Sequence, residues 1–135
     1  MLATTTAMLA QAVYAQGRLR EADEWCRGAA DAGAADDIVT QVIWRGVKAK
    51  ILAREGHCAQ AEALAREAIA LAEPTDLLSH RGDAMLDLAE VLGTCGHTDE
   101  SQRAVQTGLS LYEQKDNAIG AARARSLLGK RMGER

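Results

Sequence analysis

Three glycines set the frame of this chain. Gly17, Gly56 and Gly96 stand 39 and 40 residues apart, and each is followed five residues later by a small residue, Ala22, Ala61 or Ser101. Glycine closes helices because it enters the left-handed backbone region without steric cost. A fixed interval of helix, glycine turn and helix marks units that bury their apolar faces only by stacking on neighbours. The middle unit is the clearest. In GHCAQAEALAREAIALAEPTD, Ala61, Leu64, Ala65, Ala68, Leu71 and Ala72 recur at helical spacing, while Glu62, Arg66, Glu67 and Glu73 fall on the other side. Pro74 stops that helix, and Thr75 or Asp76 can cap the next.

The same reading extends in both directions. A helix runs from Leu2 to about Gln16, and a second from Glu21 to near Gly33 has Ala22, Trp25, Cys26, Ala29 and Ala30 on its inner face. Asp36 or Asp37 caps a long helix that Gly56 ends, with Ile38, Val42, Ala49 and Leu52 inward. Another covers Asp76 to Thr94, and Thr98 caps its partner, which turns at Lys115 to Asn117. A final segment, AIGAARARSLLG, reads as a capping helix. The expectation is an all-α single domain over residues 1–130: seven helices, with repeats of about 2–34, 36–74 and 75–114, a capping helix at 117–129 and a frayed tail at 130–135. Aromatics are 3% of the chain and Phe is absent, so the expected core is Ala, Leu, Val and Ile, which suits close-packed helices.

Composition narrows function. A net charge of -3 without a basic stripe speaks against binding nucleic acid or an anionic membrane. No run approaches the roughly 20 apolar residues of a membrane helix, and MLATTTAMLAQAV lacks the form of a signal peptide. The expected location is therefore cytoplasmic. Cys26, Cys58 and Cys95 are read as reduced thiols, because three sparse cysteines make no disulfide framework.

The units resemble the tetratricopeptide repeat (TPR) family. Leu9-Ala10, Lys48-Ala49 and Leu88-Ala89 match a small residue after a larger one on each first helix. The pairs Ala22 and Ala29, Ala61 and Ala68, and Ser101 and Gly108 match small positions on each second helix. The period exceeds the usual 34, and Arg45 and Met85 stand near places where the family has large aromatics. DDIVTQVIWRGVKAKILAREG, AEALAREAIALAEPTD, GDAMLDLAEVL and AARARSLL are similar to the C-terminal repeat region of bacterial proteins that join nucleotide cyclase and ATPase domains to such repeats. The resemblance implies a right-handed α-solenoid of about three TPR-like helix pairs, without enzymatic activity or cofactor. It also implies a concave groove that binds a peptide or protein domain, within a larger bacterial signalling protein.

By that resemblance Gln11, Tyr14, Lys50, Arg54, Asp83, Asp87 and Glu90 lie near the groove, with Trp44 as a further candidate contact. Two readings of Lys50 and Arg54 stand side by side. They clamp a carboxylate of a bound peptide and are removable together without unfolding, or they pair with Asp87 and Glu90 on the adjacent helix. Trp44 and Trp25 are either partner-facing anchors or packing at helix seams. His57-Cys58 and Cys95-x-His97 have no recognised metal-ligand spacing, and His80 has no paired nucleophile, so neither a metal nor catalysis is expected. The rival to the scaffold is a self-associating module, a homodimer through the uncovered N-terminal helix.

Overall fold

The computed structural model describes residues 3–32 and 37–133, with side chains through residue 129. Within them the chain forms seven helices and no strand: α1 (Ala3–Ala15), α2 (Leu19–Ala32), α3 (Ile38–Arg54), α4 (Cys58–Ala72), α5 (Leu78–Thr94), α6 (Thr98–Gln114) and α7 (Ala118–Gly133). The expected helix start at Leu2, the alternative cap Asp36 and the last two residues of the tail lie outside the described residues. Helix α7 continues to Gly133, past the expected end at 129.

The glycine turns recur in one geometry. At Gly17, Gly56 and Gly96 φ is +79°, +88° and +87°. In each turn the glycine N–H donates three residues back and the next N–H donates five residues back, as from Gly56 to Ala53 and from His57 to Leu52. Orphan carbonyls at the helix end are thereby satisfied. A fourth turn follows α6, where Asp116 and Asn117 donate to Glu113 and Tyr112 with Asp116 at φ +60°.

Helix starts are less uniform. Asp37 caps α3, its carboxylate accepting from the Thr40 N–H at 3.3 Å and the Thr40 hydroxyl at 2.7 Å, while Thr4 of α1 donates to it at 3.2 Å. These bonds, with those from Thr40 foremost, hold the Asp37 carboxyl below its ordinary value. Thr98 does not cap α6: it is the first helical residue, with His97 before it and no side-chain cap. Thr75 instead braces the turn into α5, donating to the Ala72 carbonyl at 2.6 Å and accepting from the Leu77 N–H at 3.2 Å.

Packing divides the helices into two kinds. Each helix packs on its successor, and α1, α3, α5 and α7 also pack in series, whereas among the described residues α2, α4 and α6 do not pack on one another, α4 and α6 meeting through the exposed Arg66–Glu100 ion pair at 3.7 Å. Burial follows from this arrangement. Helix α4 buries only the stripe Ala61, Ala65, Ala68 and Ala72. Helix α5, covered from several sides, buries Gly82, Ala84, Leu86, Leu88, Ala89, Val91 and Leu92. Small side chains let backbones close in. The Ser101 hydroxyl, which stands where Ala22 and Ala61 stand in the other units, donates to the Ala89 carbonyl at 2.7 Å and so keeps a buried polar atom satisfied.

The structure corrects the reading of the cysteines. Cys58 and Cys95 form a disulfide across a Cα separation of 6.0 Å. Antiparallel packing of α4 on α5 brings the start of one helix to the end of the other, within bridging range. Cys26 stays free and buried against Ala10, Val47 and Ile51. Burial first, and then the nearby Asp23, push its thiol up to about 12.

Candidate functional site

The serial packing of α1, α3, α5 and α7 opens a cleft of about 960 Å³ along these helices, with α6 contributing Ser101 and Val105. On α1 the spacing of Met8, Gln11, Tyr14 and Ala15 puts them on one side, as does that of Lys50 and Arg54 on α3. Helix α5 supplies Asp83, Leu86, Asp87 and Glu90, and α7 closes the far side with Arg123 and Leu127.

A buried ion pair lies at the centre. Lys50 Nζ is 2.9 Å from Asp87 Oδ1, with the two side chains 12% and 15% exposed. Burial pulls the Lys50 ammonium down, but Asp87 and then Glu90 outweigh it, and the net direction is up. Asp87 is also raised, by burial before all else and by the neighbouring Asp83 and Glu90, against the pull of Lys50. Room for this carboxylate comes from Gly46. A Cβ there would stand 2.1 Å from Asp87 Oδ2.

Tyr14 joins this pair to the rest of the cleft. Lys50 Nζ and Arg54 Cζ each lie 4.8 Å from the centre of its ring, distances at which a cation is drawn to the π face. Its hydroxyl donates to Glu90 Oε2. Burial, followed by that bond, raises the Tyr14 phenol above its usual value. Arg54 and Glu90 are themselves exposed. Among the described residues Arg54 makes no ion pair.

Toward α7 a second cluster forms around Tyr112, which is fully buried. Its hydroxyl donates to Asp83 Oδ1 at 2.5 Å, and Arg123 reaches the same oxygen at 3.2 Å and the phenol oxygen at 3.1 Å. Burial and then Asp83 raise this phenol too. Gly82 on α5 and Gly120 on α7 make the slot: a Cβ on either would fall within 2.7 or 2.5 Å of the Tyr112 ring.

Seven of the eight residues expected near a groove thus line one cleft: Gln11, Tyr14, Lys50, Arg54, Asp83, Asp87 and Glu90. Trp44 is not brought there. It packs beside Ala7, Ala29, Ile43 and Val39, with Arg45 Cζ 4.5 Å from its ring. Lys50 does pair with Asp87, whereas Arg54 and Glu90 meet only at Tyr14. Arg123 and Leu127 were not anticipated, because α7 reads in sequence as a cap rather than a wall. No cluster of three or more His, Cys, Asp or Glu suited to a metal occurs among the described residues, and His97 Nδ1 lies 3.9 Å from Glu100 Oε1. No described helix is long and apolar enough to cross a membrane. Compared with known proteins, the chain matches no protein-family model, and no curated protein matches it.

Proposed function

We propose that the chain is a non-enzymatic protein-binding scaffold, a right-handed α-solenoid of the tetratricopeptide type whose cleft receives a peptide segment or a domain of a partner protein. One observation carries this reading. Helices α1, α3, α5 and α7 meet at a cleft whose floor is set by the Lys50–Asp87 pair, while Arg54 and Glu90 remain exposed beside it. Side chains ordered in advance lower the cost of ordering that binding must meet. Met8, 56% exposed, and Leu127, 37% exposed, add apolar contact at opposite walls. Lys50, Asp83, Asp87 and Glu90 are each tied to a partner side chain, which suits recognition better than proton transfer.

The recurring glycine turns and the packing of each odd helix on the next support the solenoid part of the proposal. The similarity of the repeats to those of bacterial cyclase and ATPase proteins supports a place in a larger signalling protein, whose other domains then supply the partner. Cytoplasmic residence is not carried into the proposal, because the Cys58–Cys95 bond favours an oxidising compartment.

The test is selection of peptides from a random display library on the full chain, followed by NMR titration of the isotope-labelled protein. Shifts at Gln11, Tyr14, Arg54, Glu90 and Arg123, with Arg54→Ala weakening binding about tenfold, support the cleft. Shifts confined to the outer faces of α2, α4 and α6, or affinity indifferent to Arg54, overturn it.

A further inference from the structure

The Cys58–Cys95 bond closes a joint that the earlier repeat builds without one. Helices α4 and α5 are connected at one end by residues 73–77. At the other end Cys58 is the first residue of α4 and Cys95 the cap of α5, so the bond ties their free ends together. Moving the pair back by one repeat gives Leu19, the first residue of α2, and Glu55, the cap of α3. Leucine and glutamate can form no such bond, yet α2 and α3 pack on one another. A joint of this kind therefore folds by packing alone, and the disulfide adds a restraint to it.

What it restrains is the rim of the cleft. The fully buried residues of α4 are all alanine, with Leu64 and Ile69 only partly buried against the core, so little apolar area holds this joint. Without the bond α4 and α5 can pivot about residues 73–77. Helix α5 has 17 residues and is about 25 Å long, so a rotation of about 10° carries its far end about 4 Å. Arg54 and Glu90 stand four and five residues before the two cysteines, at that moving end, and Gly93 and Thr94 line the cleft beside them. Arg54 lies over the Tyr14 ring while the Tyr14 hydroxyl donates to Glu90. A displacement of that size exceeds what a hydrogen bond tolerates and takes this group apart.

We propose that the Cys58–Cys95 bond is a redox switch on the cleft: oxidised, it holds the rim ordered for its ligand, and reduction by a dithiol relaxes the rim and releases the bound segment. The proposal rests on the reading of the cleft as a peptide site. Both cysteines are half-buried and flanked by exposed Gly56, His57, Gly96 and His97, so a reductant meets them at the surface. One thiolate of the dithiol attacks Cys95 Sγ, and the electron pair of the broken S–S bond leaves on Cys58 Sγ, a thiolate that the N-terminal end of α4 stabilises. The second thiolate of the dithiol then attacks its own sulfur in the mixed disulfide and displaces Cys95. Two electrons and two protons have then passed to the cysteines, and the dithiol departs as a disulfide. Cys26, buried against α1 and α3, stays out of the exchange.

The probe is the tightest peptide from the display selection on the oxidised chain, titrated into the isotope-labelled full chain with and without dithiothreitol. The reduced chain should stay folded, show millisecond exchange broadening at Tyr14, Arg54 and Glu90 that the oxidised chain lacks, and bind about tenfold more weakly. Cys58→Ala combined with Cys95→Ala should bind as the reduced chain does and ignore the reductant. Equal affinity in the two redox states, spectral changes confined to residues flanking the cysteines, or a reduced chain that unfolds overturns the proposal. Failure of the cleft reading shows separately, because no peptide then binds the cleft in either state. The broadening then decides alone: its presence at Tyr14, Arg54 and Glu90 keeps the switch, and its absence overturns it.

Discussion

Asp116 holds a left-handed backbone, φ +60°, at the turn where the three earlier repeats of the same geometry have glycine. A side chain there crowds the following carbonyl. Asp116→Gly should therefore raise stability by about 1 kcal/mol, read as a higher midpoint in urea, whereas glycine at most other exposed sites lowers it. Lys50 presents the opposite case. Its partner carboxylate is buried, and Lys50→Ala leaves that charge without its cation, at a cost of about 3 kcal/mol. Thermal melting should show the loss. Pairing Lys50→Met with Asp87→Asn should recover most of it, because no buried charge is then left over. Lys50 is thus a poor residue for testing a groove clamp, and Arg54, exposed and outside any ion pair among the described residues, is the informative one.

At the scale of the helices, much was legible in the sequence because it is encoded locally. Gly17, Gly56 and Gly96 write the turns directly, and the i, i+4 spacing of Lys50 with Arg54, or Asp83 with Asp87, fixes which face of a helix each pair shares. What was not legible depends on how helices meet. The Cys58–Cys95 bond follows from the antiparallel packing of α4 on α5, although the positions of both cysteines beside equivalent glycines were a usable signal. The Tyr112 slot needs Gly82, Gly120 and Tyr112 from three helices at once. Trp44 shows how finely a face is resolved, since its indole goes to α1 and α2 while the guanidinium of its neighbour Arg45 lies over that ring and reaches Glu67 of α4. Reducing the disulfide removes a cross-link over a separation of 37 residues. Loop-closure entropy puts that at about 3–4 kcal/mol. Adding a reductant during chemical denaturation should reveal it, and Cys58→Ala should abolish the response.

Across the whole molecule, buried weak acids make the fold sensitive to alkali. Cys26, raised to about 12, and the phenols of Tyr14 and Tyr112, also raised, all hold their protons more tightly folded than unfolded. A folded state that binds more protons loses stability as pH rises. The contribution of Cys26 is intact below the ordinary thiol value, near 8.5, and declines from there toward about 12. The tyrosines add to the decline above about 10. The urea midpoint should fall in this sequence, and Cys26→Ala should remove its first part.

The covalent bond between α4 and α5 also gives the chain a mechanical signature. Drawn out by its two ends in an optical trap, the oxidised molecule can pay out thread from either flank, but the segment between Cys58 and Cys95 stays looped off. The 37-residue separation corresponds to roughly 130 Å of withheld extension. Reductant in the chamber should release that length as an added increment, and an oxidised molecule that reached full length without it would lack the tether.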